Sequence, residues 1–141
     1  MKTGKRKRVF LALAVLLLLL FIWVQSALPE KDSADESGWF RENVVDPVLR
    51  LVGVGPASDH TVRKAAHIVE YFLLSLFMTL FLNGKAGRAF FVCFGAAFLD
   101  ETIQLFSRRG SQVRDVWIDL IGVAAGVLLG VLLARRRPSE G

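Results

Sequence analysis

Cysteine is almost absent: Cys93 stands alone among 141 residues, so no disulfide can form within the chain. Its apolar surroundings in mid-segment read as inert packing. No internal repeat and no glycine-rich phosphate loop occur, which argues against a repeat architecture and against nucleotide binding through such a loop. The zinc spacing His-Glu-x-x-His is missing, as are the basic and histidine motifs of lipid-phosphate phosphatases, and no serine or cysteine has an evident activating partner. The net charge of +5 comes with no nucleic-acid motif, so no nucleic acid is expected as a partner.

What the chain has in abundance is apolar residues. They make up 53% of it, which places it in a membrane class, and 141 residues suffice for one domain. Four apolar runs stand out, at 10–27, 62–82, 89–106 and 116–134. Each is near the ~20 residues that cross a ~30 Å hydrocarbon core. A spanning segment must satisfy its own backbone, so the runs predict helices: an all-α, four-transmembrane-helix bundle. The basic stretch Lys5-Arg6-Lys7-Arg8 before the first run also fits a signal peptide. That run is longer than a usual signal core, however, and Trp23 sits where an interfacial anchor belongs, so it is read as a retained helix.

Basic residues fix the expected orientation. With the N-terminus inside, Lys2, Lys5, Arg6, Lys7, Arg8, Lys85, Arg88, Arg135, Arg136 and Arg137 all fall on the cytoplasmic side, opposed there only by Glu140. The positive-inside rule then puts both termini in the cytoplasm. The chain divides into a basic cytoplasmic N-terminus (1–9), one transmembrane domain (10–134, with an outer loop at 29–60) and a basic cytoplasmic tail (135–141). These flanks suit the anionic inner leaflet. Within the outer loop, Trp39, Phe40, Val44, Val45, Val48, Leu49 and Val52 recur at helical spacing among charged residues. They predict a short extracytoplasmic amphipathic helix between helices 1 and 2, lying on the membrane face either as a tether, the favoured reading, or as a roof over the polar site. Pro47 splits its pattern and is expected to open a new turn with Asp46 as cap.

The ionisable groups of the last three runs cluster at helix ends that meet if the runs alternate direction. Arg63, Lys64, His67, Glu70 and Tyr71 open the second run, Asp100, Glu101 and Gln104 close the third, and Arg109, Arg114, Asp115 and Asp119 open the fourth. Charge inside hydrocarbon costs at least roughly 2.5–3.5 kcal/mol per residue, so such groups are functional candidates by default. Arg63, His67, Glu70 and Leu74 share one helix face, and His67 and Glu70 are one turn apart. Asp100 and Gln104 also share a face, while Glu101 points to an adjacent one. Asp115, Asp119, Gly122, Gly126 and Gly130 form a stripe whose glycines let a neighbouring backbone approach.

Taken together, Arg63-Lys64-x-x-His67-x-x-Glu70-Tyr71, Asp100-Glu101-x-x-Gln104-x-Phe106, and Arg109 with Arg114-Asp115-x-x-x-Asp119-x-x-Gly122 resemble the VanZ-like family of bacterial membrane proteins. The likeness runs from about Val24 to Gly126. It implies a small integral protein of the bacterial cytoplasmic membrane, in a family whose namesake is linked to glycopeptide (teicoplanin) resistance, and it implies no settled activity. Arg108 stands where the family's turn would place Gly, and Asp119 where many members have Asn.

Three functions fit these residues. In the first, Arg63, Lys64, Arg109 and Arg114 hold an anionic envelope ligand by charge-assisted hydrogen bonds. The ligand would be a polyprenyl phosphate, a phospholipid head group or a peptidoglycan precursor, and carboxylates would orient the arginines. In the second, the polar cluster is an internal ion-pair network that fixes packing in a structural or regulatory partner of envelope machinery. The third, less favoured, is a metal-assisted lipid-processing enzyme with Glu70, Asp100, Glu101, Asp115 and Asp119 as oxygen ligands and His67 as acid or base. No metal or other cofactor is expected on the first two readings. The bilayer is the one partner all three share, and the oligomeric state is left open.

Overall fold

A computed structural model of the chain describes residues 2–27, 38–39, 41–51, 55, 58–106 and 113–136, with backbone alone at 2–3, 48–49, 59–60 and 113–115. The regular elements among them are all helical: α1 (Lys2–Ala27), a π-helical turn (Arg41–Val45), α2 (Asp46–Leu51), α3 (Asp59–Phe81), α4 (Ala86–Phe106) and α5 (Val113–Arg135). Four stretches are long and apolar enough to cross a membrane: Gly4–Ala27, Thr61–Phe81, Ala86–Phe106 and Val116–Arg135. These agree with the four runs expected from hydropathy. Helix α1 starts earlier than its apolar run because Lys and Arg are good helix formers and simply extend it.

Local chemistry sets the ends of α3. The Ser58 hydroxyl accepts from the Thr61 amide at 3.1 Å and caps the first turn. At the far end Asn83 (φ 54°) and Gly84 (φ 80°) reverse the chain, and the Gly84 amide donates to the Thr79 carbonyl at 2.8 Å. Helix α4 therefore runs back along α3 after a four-residue turn.

The tightest packing joins α3 and α5. Gly122, Gly126 and Gly130 face Ile68, Phe72, Ser75 and Thr79, and a methyl group added to any of the three would strike α3; at Gly130 it would lie 2.7 Å from the Thr79 Cβ. Without a hydrophobic drive between helices in lipid, such close backbone contact is what holds them. Ser75 and Thr79 are fully buried there and donate back to the Phe72 and Ser75 carbonyls, at 3.1 and 2.7 Å, so neither hydroxyl is left unsatisfied. Helix α1 packs on α3 and α4, and α4 packs on α3 and α5. The interior gathers Val15 and Ile22 from α1, Tyr71, Leu74 and Met78 from α3, Cys93 and three alanines from α4, and Val123 and Val127 from α5. Buried Cys93 is packing, as its setting implied.

The outside is the inverse of a water-soluble surface. Leu17, Phe91, Phe98, Trp117, Ile121 and Leu128 all turn outward, and each is more than half exposed. On four helices of spanning length, so many outward apolar side chains suit contact with lipid.

Between α1 and α3, Pro47 does not break the helical stretch. It sits in α2, which follows the π-helical turn without a gap. Widening the preceding turn relieves the clash between the proline ring and the carbonyl four residues back, which a regular α-helix would impose. Trp39, Val44 and Leu51 stay exposed, while Arg41 pairs with the buried Asp46 at 3.7 Å.

Candidate functional site

Four helices bring polar side chains to one end of the bundle. His67 lies two turns into α3, and Glu70 one turn deeper. Asp100 lies near the end of α4 and Asp119 near the start of α5. Because α3, α4 and α5 alternate in direction, these positions fall at one level. The His67 Nδ1 is 3.9 Å from a Glu70 oxygen, 3.8 Å from an Asp100 oxygen and 3.9 Å from an Asp119 oxygen. Three carboxylates from three helices thus surround one imidazole nitrogen.

Burial makes this arrangement costly. The Asp100 side chain is 0% exposed and that of Asp119 3%, whereas His67 and Glu70 keep partial access. Buried carboxylates persist only where partners offset their desolvation. For Asp100 the partners come from its own helix and from α1 and α3. Gln104, one turn on, donates to its Oδ2 at 3.0 Å and also approaches the Ser26 hydroxyl of α1 at 3.4 Å. Tyr71, fully buried, places its ring against His67 with centroids 6.5 Å apart and donates to the Ala96 carbonyl at 3.5 Å, so its hydroxyl also stands beside Asp100. Two buried atoms at the centre have no hydrogen-bond partner among the described residues, His67 Nδ1 and Asp100 Oδ1.

Not every candidate joins this centre. Glu101 is buried but faces away, into a cleft of about 350 Å³ between α4 and α5 that Phe94, Phe98, Leu105, Trp117 and Leu120 also line. That agrees with its expected adjacent face. Arg63 and Lys64 are half-buried on the turn before His67, and both have interaction partners. Arg109, and the side chains of Arg114 and Asp115, lie outside the described residues. Ser26 is the member that sequence reasoning missed as a site residue. Apart from Gln25 the sequence around it is apolar, and its signal is a hydroxyl at the same end of the bundle as the acids of the other helices.

These features define a class: a small helical membrane protein with a histidine–carboxylate cluster buried at one end of four helices. The chain belongs to the VanZ/LLP1 family, whose model matches residues 10–134. It is 34% identical over 80 residues to the membrane protein YwnJ of Bacillus subtilis (strain 168), covering 56% of this chain and 55% of YwnJ. Over 46 residues, 33% of this chain, it is 40% identical to lysophospholipase nte1 of Emericella nidulans, of which the match covers 3%. The chain thus spans about half the length of the bacterial relative and a small fraction of the fungal one. No solved structure matches it.

Proposed function

We propose that the protein binds an anionic cell-envelope lipid or lipid-linked precursor, with the head group at the polar end of the bundle and the chain in lipid-facing apolar space. The observation that carries this reading is the α4–α5 cleft. It lies beside the cluster at the same end, its lining is apolar apart from Glu101 and Thr102, and Phe98, Leu105 and Trp117 on its walls are exposed to lipid. An acyl or prenyl tail fits such a lining, and binding sites of a few hundred Å³ with few polar groups are typical of small-molecule pockets. Arg63, Lys64, Arg109 and Arg114 supply the charge for a phosphate or pyrophosphate, and arginine forks suit that geometry. The buried acids orient these cations. The ligand class covers polyprenyl phosphates, phospholipid head groups and peptidoglycan precursors.

The reading includes the setting inferred from charge: a bacterial cytoplasmic membrane, both termini inside, and the polar end facing out. Teicoplanin susceptibility is the phenotype to score, because a protein holding an envelope precursor at the outer face would change what a glycopeptide can reach. The lysophospholipase match lends no support to catalysis, since it covers so little of that enzyme. One observation favours a second reading, an internal ion-pair network: His67 has three carboxylates within 4 Å.

Native mass spectrometry from mild detergent tests the proposal. The wild-type chain should retain a phosphate-bearing lipid, and Arg109→Ala should release it while remaining folded. Wild-type protein that carries no such lipid, or a variant that carries as much, would refute the reading.

A further inference from the structure

We infer that His67, Asp100 and Asp119 form a binding site for a divalent transition cation of the Zn²⁺ type, with Glu70 as a fourth donor at its edge. This goes beyond the lipid reading and does not depend on it. The ligand atoms of His67, Asp100 and Asp119 lie within 4.8 Å of one another, although they come from three different helices. One imidazole nitrogen with carboxylate oxygens is a donor set that zinc accepts. The 3.8–3.9 Å separations around His67 Nδ1 exceed the edge of a tetrahedral zinc site, about 3.4 Å from its bond lengths, by less than the reach of a small side-chain rotation.

Two independent features point to a ligand rather than to mere crowding. Asp100 is completely buried, yet its Oδ1 has no hydrogen-bond partner among the described residues. His67 Nδ1 is likewise buried and unpartnered while three carboxylate oxygens face it. Neither neutral tautomer resolves that, and an imidazolium would face the three oxygens at 3.8–3.9 Å, beyond hydrogen-bond reach. With the proton on Nε2, a lone pair faces three anionic oxygens; with the proton on Nδ1, the N–H reaches no acceptor at hydrogen-bond distance. A cation at the meeting point satisfies the nitrogen and the oxygens together. It also brings the charge of three carboxylates and one imidazole close to neutral. The supports around the donors match what metal sites use: Gln104 fixes Asp100 by a 3.0 Å hydrogen bond, and the Tyr71 ring stacks on His67.

The test uses the full chain in detergent, stripped of lipid and chelated, with any histidine tag removed. After dialysis against Zn²⁺ and desalting, elemental analysis should find one zinc per folded chain. Co²⁺ in place of Zn²⁺ should give visible d–d absorption that Zn²⁺ abolishes. Asp119→Asn and Asp100→Asn should each weaken retention at least tenfold, whereas Glu42→Gln on the exposed π-helical turn, and His60→Ala at the other histidine, should leave it unchanged. The cobalt spectrum is read on the wild-type chain, so a variant that fails to fold does not decide the outcome. Folded wild-type protein that takes up no zinc, or Asp119→Asn that binds as tightly as wild type, overturns the inference. Because lipid is absent throughout, failure here leaves the lipid reading untouched, and failure of lipid retention leaves this result standing.

Discussion

Replacing Gly122 by alanine should loosen the α3–α5 contact and the polar cluster together. The added methyl would meet the Ile68 carbonyl oxygen, the Ile68 carbonyl carbon and the Phe72 amide nitrogen. All three are backbone atoms, so no side chain can swing aside. Restoring ordinary contact requires α5 to back away by on the order of 1 Å. Ile68 follows His67, and Gly122 lies one turn after Asp119, so the displacement is applied where Asp119 approaches the imidazole. Overpacking costs typically about 1–3 kcal/mol. Alanine's better helix propensity returns at most about 1 kcal/mol. A net destabilisation of about 1–2 kcal/mol is therefore expected. Gly95→Ala is the control, because nothing lies within 4 Å of its added carbon; it should be neutral or stabilising by up to about 1 kcal/mol. Thermal unfolding of both variants in one detergent, followed by helical circular dichroism, reads the difference. If Gly122→Ala melts at or above the temperature of Gly95→Ala, the close-contact reasoning is wrong.

Two further predictions concern topology and the buried acids. In a Cys93→Ala background, single cysteines at Ser33 and Ser111 should react with an impermeant external reagent while one at Gly84 does not; the reverse pattern would invert the inferred orientation. His67→Ala should deplete the folded protein, because removing the imidazole strands carboxylates that are wholly or nearly buried, at a cost on the order of 3–5 kcal/mol. Adding Asp100→Asn should recover part of the loss, and a His67→Ala variant as abundant and heat-stable as wild type would show that the imidazole does not support those acids.

The four spans and the meeting of His67, Glu70, Asp100 and Asp119 were legible because both follow from strong constraints. Runs of apolar residues at membrane length leave no alternative to helices. Alternating direction then brings the start of α3, the end of α4 and the start of α5 to one level, whatever the side-chain details. The glycine stripe also declared its role, since Gly122, Gly126 and Gly130 at four-residue spacing can serve little besides close approach. Other features depended on rotation and register that hydropathy does not encode. Helix α1 is Leu-rich on every face, so nothing in its sequence sets which residue meets α4, and the Ser26–Gln104 contact could not be foreseen. Nor does spacing alone show that Asp119 comes within 3.9 Å of His67, because Asp115 shares its stripe. Pro47 was legible in part: a new helix does open at Asp46, but the widened turn before it keeps the stretch helical without a gap.

The central claim is that the polar end binds a ligand rather than only pairing with itself, and the melting temperature of Arg109→Ala tests it most directly, measured alone and together with Glu101→Gln. An arginine that serves a bound phosphate leaves the stripped protein's stability nearly unchanged when removed. The account predicts that Arg109→Ala, freed of lipid, melts within about 2 °C of equally stripped wild type, a shift smaller than 1 kcal/mol would produce in a domain of this size. An Arg109→Ala protein that melts far lower and regains its stability with Glu101→Gln would contradict the account and show an internal ion-pair network in its place.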